Sequence, residues 1–415
     1  MTKKVIVIGG GVVGVCCALN LLKDGHDVTI VEPNIMGEAT AWASCGFIAT
    51  SEVIPISKPG ILLKAPKWFL DPAGPLTIRS SALLSILPWF MKFAGNAKSS
   101  RIHEISKNLA ALTTTALEDF ETLFKTYNLN GLIGDHPIIE LYDTEEELKK
   151  EQQHTARRRE LGFEIDEISG AEAAEMEPCI AKDFAKALIL KDWRTIADSK
   201  RFVTALVDAF IAAGGNIHIG SVKQLVKNNG AVSSVILEDE STLNADYFVL
   251  AAGAWTKQLA KQIDLKLDIE AVTGYQTIFS EPGFEMKHSL VYATGGFGIT
   301  SYESGVAIGG SIEFSSLNAS PNFNRAKILV KKAYRVLPNL THEAGEERTG
   351  HRPLTPDTLP IIDRAHTVNN VLIASGHGQL GVTIGARTGQ IIADLVAGRP
   401  DSIDLTPYSV KRFNH

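Results

Sequence analysis

No stretch constrains this chain more than Lys3 to Glu32. A short apolar run, Val5-Ile6-Val7-Ile8, enters Gly9-Gly10-Gly11-Val12-Val13-Gly14, which fits G-x-G-x-x-G at Gly9, Gly11 and Gly14. An apolar series at helical spacing follows, with Val15, Ala18, Leu19 and Leu22, and stops at Gly25. A second strand, Val28 to Val31, then ends in Glu32, 18 positions past the last motif glycine. Strand, glycines, helix, strand and acid together specify a βαβ unit that binds an adenine dinucleotide. Gly9 permits a tight turn, Gly11 lets backbone approach a pyrophosphate, and Gly14 lets the helix pack on the strand. The free N–H groups of the helix start, at Val12 and Val13, favour the phosphate charge. Glu32 can accept both ribose hydroxyls and would repel a 2′-phosphate. This unit alone does not choose between a travelling NAD and a resident FAD.

At 415 residues there is room for two domains. A formal net charge of -6 gives no electrostatic reason for nucleic acid to bind. Cys16, Cys17, Cys45 and Cys179 form no metal-ligand cluster, and no metal is expected. Lys3 and Lys4 before an apolar run could mimic a signal peptide, but the glycine motif needs that run as a strand, so the segment is expected to be retained. The expected location is cytoplasmic, with attachment to the inner membrane face left open.

Past Glu32, the small residues Ala43, Ser44, Cys45 and Gly46 suit either close ligand approach or a plain loop. From Ile54 to Ser100, Pro55, Pro59, Pro66, Pro72, Pro75 and Pro88 break up any long element. Lys64, Lys67, Trp68, Phe69 and Leu70, then Leu83 to Met91, suit a membrane-touching segment or a cover for the core or a partner; the second is favoured. Arg101 to Tyr127 reads as one long helix, and Ile138 to Tyr142 as a strand. Thr144 and Glu147 form a capping box before a charged helix, whose Arg157-Arg158-Arg159 run reads as a solvated face. Asp198 or Ser199 caps a helix that runs to Ala213. Val222–Val226 and Val232–Leu237 make a hairpin around Asn229-Gly230. Between Ile269 and Phe314, close strands such as Gln276–Phe279, Leu290–Tyr292, Phe297–Thr300 and Val306–Ile308 indicate an antiparallel second domain. Asn324 to Leu337 reads as a helix, and a last strand, Asn370 to Ala374, leads into a second glycine-rich turn and a helix from Ala386. Glycine-rich turns at both ends suggest one shared ligand site.

Two residues stand out as chemistry carriers. Arg352 has the planar fork that binds a carboxylate, with a salt bridge to Asp357 or Asp363 as the alternative. His377 lies between Gly376 and Gly378, where it can be an acid/base group or a plain hydrogen-bonding one; the second is favoured. No nucleophile elbow or zinc signature is present, which points to a cofactor that carries the chemistry.

With these residues assembled, the chain resembles the FAD-dependent D-amino-acid oxidase superfamily, especially bacterial D-amino-acid and D-hydroxyproline dehydrogenases. The resemblance runs nearly end to end, through ATAWASCGF, YFVLAAGAW, GITSYESGVAIGGSIEF, GHRPLTPDTLPIID and SGHGQLGVTIGARTG. It implies an α/β fold, with a discontinuous Rossmann-like FAD-binding domain and an inserted antiparallel β-sheet substrate domain. The expected FAD domain takes 1–53, 101–128, 195–262 and 348–415; the substrate domain takes 54–100, 129–194 and 263–347. By the same resemblance, Gly9, Gly11, Val12, Val13, Gly14 and Glu32 hold the adenosine half of FAD. Ala43, Ser44, Cys45 and Gly46 lie against the flavin with Gly376, His377, Gly378, Gln379, Leu380, Gly381, Val382 and Thr383. Val222 borders the adenine, Ala252 and Gly253 close over the dinucleotide, and Arg352 binds the substrate carboxylate.

The chain departs from the family pattern in three places. A tyrosine expected on the Phe297–Thr300 strand is missing, which leaves Tyr302 and Tyr275 as candidates. Gln379 replaces a basic residue, and Asp363 a glycine. FAD is expected to be non-covalent, with Cys45 as a remote attachment point. The implied activity is dehydrogenation of a D-amino acid or cyclic imino acid, with a quinone or the respiratory chain as candidate electron acceptor. The alternatives are an oxygen-using oxidase of glycine, sarcosine or another N-methyl amine, and a non-catalytic flavin subunit.

Overall fold

The computed structural model describes residues 1–34, 40–57, 74 and 76–413. Two sheets divide the chain. The first has six strands in the order Ile361–Arg364, Val371–Ser375, Tyr247–Leu250, Lys4–Ile8, Asp27–Glu32 and Asn216–Ile219. All its pairs are parallel except that of Ile361–Arg364 with Val371–Ser375. Its central strands are buried on both faces, as continuous apolar runs such as Val5-Ile6-Val7-Ile8 require.

Helix Val12–Lys23 covers one face and crosses helix Gly381–Ala397 closely. Glycine allows that approach: a Cβ at Gly389 would lie 2.4 Å from the Cys16 carbonyl oxygen. The later helix begins at Gly381, ahead of the expected Ala386.

The second sheet has nine strands. Eight run in the order Glu346–Leu354, Glu270–Phe279, Gly305–Phe314, Phe297–Tyr302, Leu290–Tyr292, Ile138–Tyr142, Lys186–Leu190 and Ile165–Ser169. The ninth, Leu76–Ile78, pairs parallel with Gly305–Phe314, and Leu290–Tyr292 pairs parallel with Ile138–Tyr142. The sheet is therefore mainly antiparallel, with strands recruited from distant parts of the chain. Residues 348–354, expected with the dinucleotide domain, instead form its edge strand, because all nine residues of Glu346–Leu354 pair with Glu270–Phe279.

Local signals hold where they are strongest. The Asn229-Gly230 turn links Val222–Asn228 to Ala231–Leu237 with φ of 50° and 77°, as a type I′ turn requires. Thr144 and Glu147 cap each other reciprocally, and the Asp198 carboxylate accepts from the N–H groups of Lys200 and Arg201.

Four readings need correction. The helix expected over Arg101–Tyr127 is two, Ser99–Thr113 and Ala116–Tyr127. At the break, Thr114 bonds back to the Ala110 carbonyl and Thr115 to the Asp119 carboxylate, local bonds that compete with helix continuation. Pro88 breaks nothing: it lies within helix Leu83–Gly95, on its exposed side. Arg158 is not solvated, since its guanidinium lies 3.4 Å from Glu140 and 3.7 Å from Glu52 with 11% side-chain exposure. The helix from Asn324 ends at Ala333, short of Leu337. Pro59, Pro66, Pro72, Pro75, Lys64, Lys67, Trp68, Phe69 and Leu70 lie outside the described residues. Among the described residues, no helix is long and apolar enough to cross a membrane.

Candidate active site

The first strand ends at Gly9, whose φ is +112° and whose Cβ, if present, would lie 2.5 Å from the Ala251 carbonyl oxygen. A Cβ on Gly14 would lie 1.9 Å from the Gly9 carbonyl oxygen. Both positions therefore require glycine. Gly11 caps the helix with no side-chain bond, so its first N–H groups stay available to a ligand. Opposite, the Glu32 carboxylate accepts from Gly10 N–H at 2.7 Å and from Asn34 through N–H and Nδ2. Gly220 N–H donates to the Glu32 carbonyl, which brings Val222 near the acid. Ala252 and Gly253 follow Ala251, and the Gly253 carbonyl accepts from Ser375.

The far end of the chain arrives at the same place. Leu380 caps the Gly381–Ala397 helix, again without a side-chain bond. A Cβ on Gly381 would lie 3.8 Å from a methyl of Val13, so two uncapped helix starts abut. Thr383 ties the 43–49 stretch to them, since its hydroxyl accepts from Ala49 N–H and donates to the Phe47 carbonyl. Gly378 approaches the large sheet, where its N–H reaches the Pro353 carbonyl.

The large sheet presents a bare floor to this junction. In register, Gly298 faces Gly309 across one strand pair, and Gly274 faces Gly350 across another. The Cys45 sulfur lies 3.0 Å from where a Cβ of either Gly298 or Gly309 would stand. Its thiol donates to the Gly309 carbonyl, so it is turned into the sheet. The Arg352 guanidinium occupies the matching space over Gly274, with Nη2 at 2.4 Å from the Cβ position. Above the floor, the Ser44 carbonyl accepts from Gln276 Nε2 at 2.6 Å and from the Tyr302 hydroxyl at 2.8 Å. Gln276 and the floor glycines were not singled out from the sequence. The available signal was the glycine content of GITSYESGVAIGG, which marks close backbone approach in strands.

Arg352 is a partly buried cation on this floor. Nη1 donates to the Ser311 carbonyl at 2.8 Å, and among the described residues no carboxylate pairs with it. The two acids named as alternatives are engaged elsewhere: Asp357 with Arg412, and Asp363 with Ser409 and Val410. Desolvation pulls the Arg352 pKa down, while the nearby Cys45 thiol opposes that shift. Burial pushes the Cys45 thiol up.

The other candidates take different places. Burial lowers the His377 pKa to about 3, and its Nε2 is bonded to Thr388, so the ring is neutral and committed to the fold. Tyr302 braces Ser44 from beneath. Tyr275 is on the opposite sheet face from Arg352, with its hydroxyl on Glu313 and Asn322 N–H. It is not brought into the site.

A family model described as FAD dependent oxidoreductase matches residues 4–395. The chain belongs to that family. FAD is its cofactor, and two uncapped helix starts, an acid opposite them and a glycine floor fit the group. This FAD-dependent oxidoreductase is 28% identical over 418 residues to a D-amino-acid oxidase of Bradyrhizobium diazoefficiens, covering 99% of each chain. It is 27% identical over 421 residues to a D-amino acid dehydrogenase of Allorhizobium ampelinum, covering 99% of this chain and 98% of that one. Its fold superposes on glycine oxidase from Geobacillus kaustophilus with a TM-score of 0.74 at 21% identity, over 99% of each chain.

Proposed function

We propose that the protein oxidises a D-amino acid or cyclic imino acid at the α-carbon, with Arg352 as the carboxylate anchor. The single observation that carries this is the partly buried Arg352 guanidinium, which among the described residues meets a backbone carbonyl and no carboxylate. A partly buried charge without a counter-charge is costly, so an arriving carboxylate gains a bidentate partner that is already partly desolvated. When bound, FAD supplies the acceptor for the hydride that leaves the α-carbon.

The rest of the site positions. Gly9, Gly11, Gly14 and Glu32 would hold the adenosine half, with Val12, Val13, Val222, Ala252 and Gly253 around it. Ala43 to Gly46 and Gly376 to Thr383 would wall the flavin half. His377 is neutral, the Tyr302 hydroxyl donates to Ser44, and the Cys45 thiol faces the sheet. With none of these groups poised as a base, the amine must arrive uncharged, and orientation supplies much of the catalysis.

Oxygen is the proposed electron acceptor, a reading supported by the D-amino-acid oxidase relative. Transfer to a quinone or another acceptor is the second reading, supported by the dehydrogenase relative. The test is anaerobic: purified holoenzyme is mixed with a panel of D-amino acids, glycine, sarcosine and cyclic imino acids, and bleaching of the flavin band is followed. A panel that leaves the flavin oxidised defeats the proposal. Peroxide yield on readmitting air, against dye reduction, separates the two acceptors.

A further inference from the structure

Two arginines hold Ser311 from opposite sides of the large sheet. Arg352 Nη1 donates to its carbonyl at 2.8 Å, and Arg325 Nε donates to its hydroxyl at 2.6 Å. Arg352 comes from the floor side. Arg325 comes from behind, on helix Asn324–Ala333, whose approach at Asn322 meets the Tyr275 hydroxyl on the far face. Among the described residues, the Ser311 carbonyl is the one hydrogen-bond acceptor of the Arg352 guanidinium. Whatever turns Ser311 therefore turns the fork.

Ser311 does not hold itself. Its φ of +69° lies in the left-handed region, where a residue with a Cβ stays only if its surroundings fix it. Arg325 is suited to fix it, being 5% exposed and donating from Nη2 to the Gly74 carbonyl at 2.9 Å. The Glu313 carboxylate lies 3.9 Å from Arg325 Nε. Glu313 is pinned in turn by Arg79 at 2.6 Å and by the Tyr275 hydroxyl at 3.2 Å.

We propose that Arg325 is a positioning residue: through the Ser311 hydroxyl it fixes the carbonyl that aims Arg352, and so sets how strongly the site prefers a carboxylate. The proposal rests on the reading that Arg352 binds the substrate carboxylate. Aim matters because a bidentate pair needs both N–H groups directed at the two oxygens, and a misplacement of about 1 Å can cost about a hundredfold.

The test is the carboxylate preference of the holoenzyme: kcat/KM for the amino acid it oxidises fastest, divided by kcat/KM for the primary amide of the same amino acid. A general loss of structure lowers both and leaves the ratio in place. Wild type should favour the acid by about thirtyfold or more. Ser311→Gly removes the hydroxyl and eases the positive φ; Ser311→Ala removes the hydroxyl alone. Both should lower the ratio about tenfold, the worth of a hydrogen bond to a charged group, with flavin content unchanged. In an Arg352→Lys background, Ser311→Gly should move the ratio by less than about twofold, since lysine has no fork to aim. Arg325→Lys keeps the charge beside Glu313 and loses the fixed Nε–H, so it should match Ser311→Gly; should it fail to fold, the two Ser311 variants decide. A wild-type ratio in Ser311→Gly, with or without a fall in Ser311→Ala, overturns the positioning role while Arg352 as anchor stands. A wild-type enzyme without preference for the acid overturns both.

Discussion

Arg352 donates to the carbonyl of Ser311, a residue held at φ +69°. The two belong to one irregularity. Thr273 and Tyr275 pair with Glu313 and Gly310, so Ser311 and Ile312 together oppose Gly274. This bulge turns a strand carbonyl toward the guanidinium, and a non-glycine residue in that backbone region is tolerated only where its surroundings hold it. Ser311 is held by Arg325, whose Nε donates to its hydroxyl at 2.6 Å.

Replacing Arg352 should therefore act on substrate and not on cofactor. Arg352→Lys keeps the charge and loses the fork; Arg352→Ala loses both. We expect KM to rise by a factor corresponding to about 2–5 kcal/mol in the alanine variant, with flavin absorbance per protein unchanged. Steady-state kinetics beside a flavin titration decides it. An alanine variant with the wild-type KM removes the arginine from substrate binding.

Gly14→Ala tests the opposite end. Its new methyl would stand 1.9 Å from the Gly9 carbonyl oxygen, which is backbone and has no rotamer to yield. Overpacking of this kind costs about 1–3 kcal/mol where neighbours can relax, and here they cannot easily do so. The variant should purify with little flavin and a lower Tm. Full flavin content would show that the helix stands further from the strand than the structure has it.

How much of this was readable beforehand follows from the range of each interaction. Lys4 to Glu32 is legible because strand, turn, helix and strand are consecutive, and each signal is local. The same holds for the Asn229-Gly230 hairpin and the Thr144 cap. The glycine floor is not legible: Gly298 meets Gly309, and Gly274 meets Gly350, only once three strand registers are set, two of them between strands distant in sequence. Tyr275 and Tyr302 looked equivalent from the sequence for the same reason, since the face a strand residue takes depends on that register. Arg158 looked solvated because Glu52 and Glu140 are distant in sequence, and only the packed sheet brings them to it.

His377 gives a pH prediction. Its folded pKa is lowered from 6.5 to about 3 by burial, so the unfolded chain takes up a proton that the folded one refuses. The sign follows: this group lowers stability as pH falls from 6.5 toward 3, and has no effect above 6.5. The slope is about 1.4 kcal/mol per pH unit within that window. His377→Asn should flatten the acid limb of a Tm-against-pH curve, although it lowers Tm at neutral pH through loss of the Thr388 bond. Parallel curves for the two proteins between pH 6 and pH 4 would show that the imidazole is hydrated.

The cysteines test whether the 43–46 stretch is seated on the sheet. Burial raises all four thiols: Cys16 to about 12, and Cys17, Cys45 and Cys179 in the same direction. Thiolate is the reactive form, so none should alkylate readily in the native protein at pH 8. Cys45 is the informative one. It is the only one of the four that is not fully buried, and it depends on the bond to Gly309 and the open space over Gly298. Gly298→Val would fill that space and lift Cys45 off the floor, together with Ser44, whose carbonyl is fixed by Gln276 and Tyr302. Iodoacetamide labelling read by peptide mass should be negligible in wild type, and confined to Cys45 in Gly298→Val. The shifted Ser44 should also alter the flavin absorption band. Fast labelling of Cys45 in the wild-type protein would mean that the loop does not rest on the glycines at all.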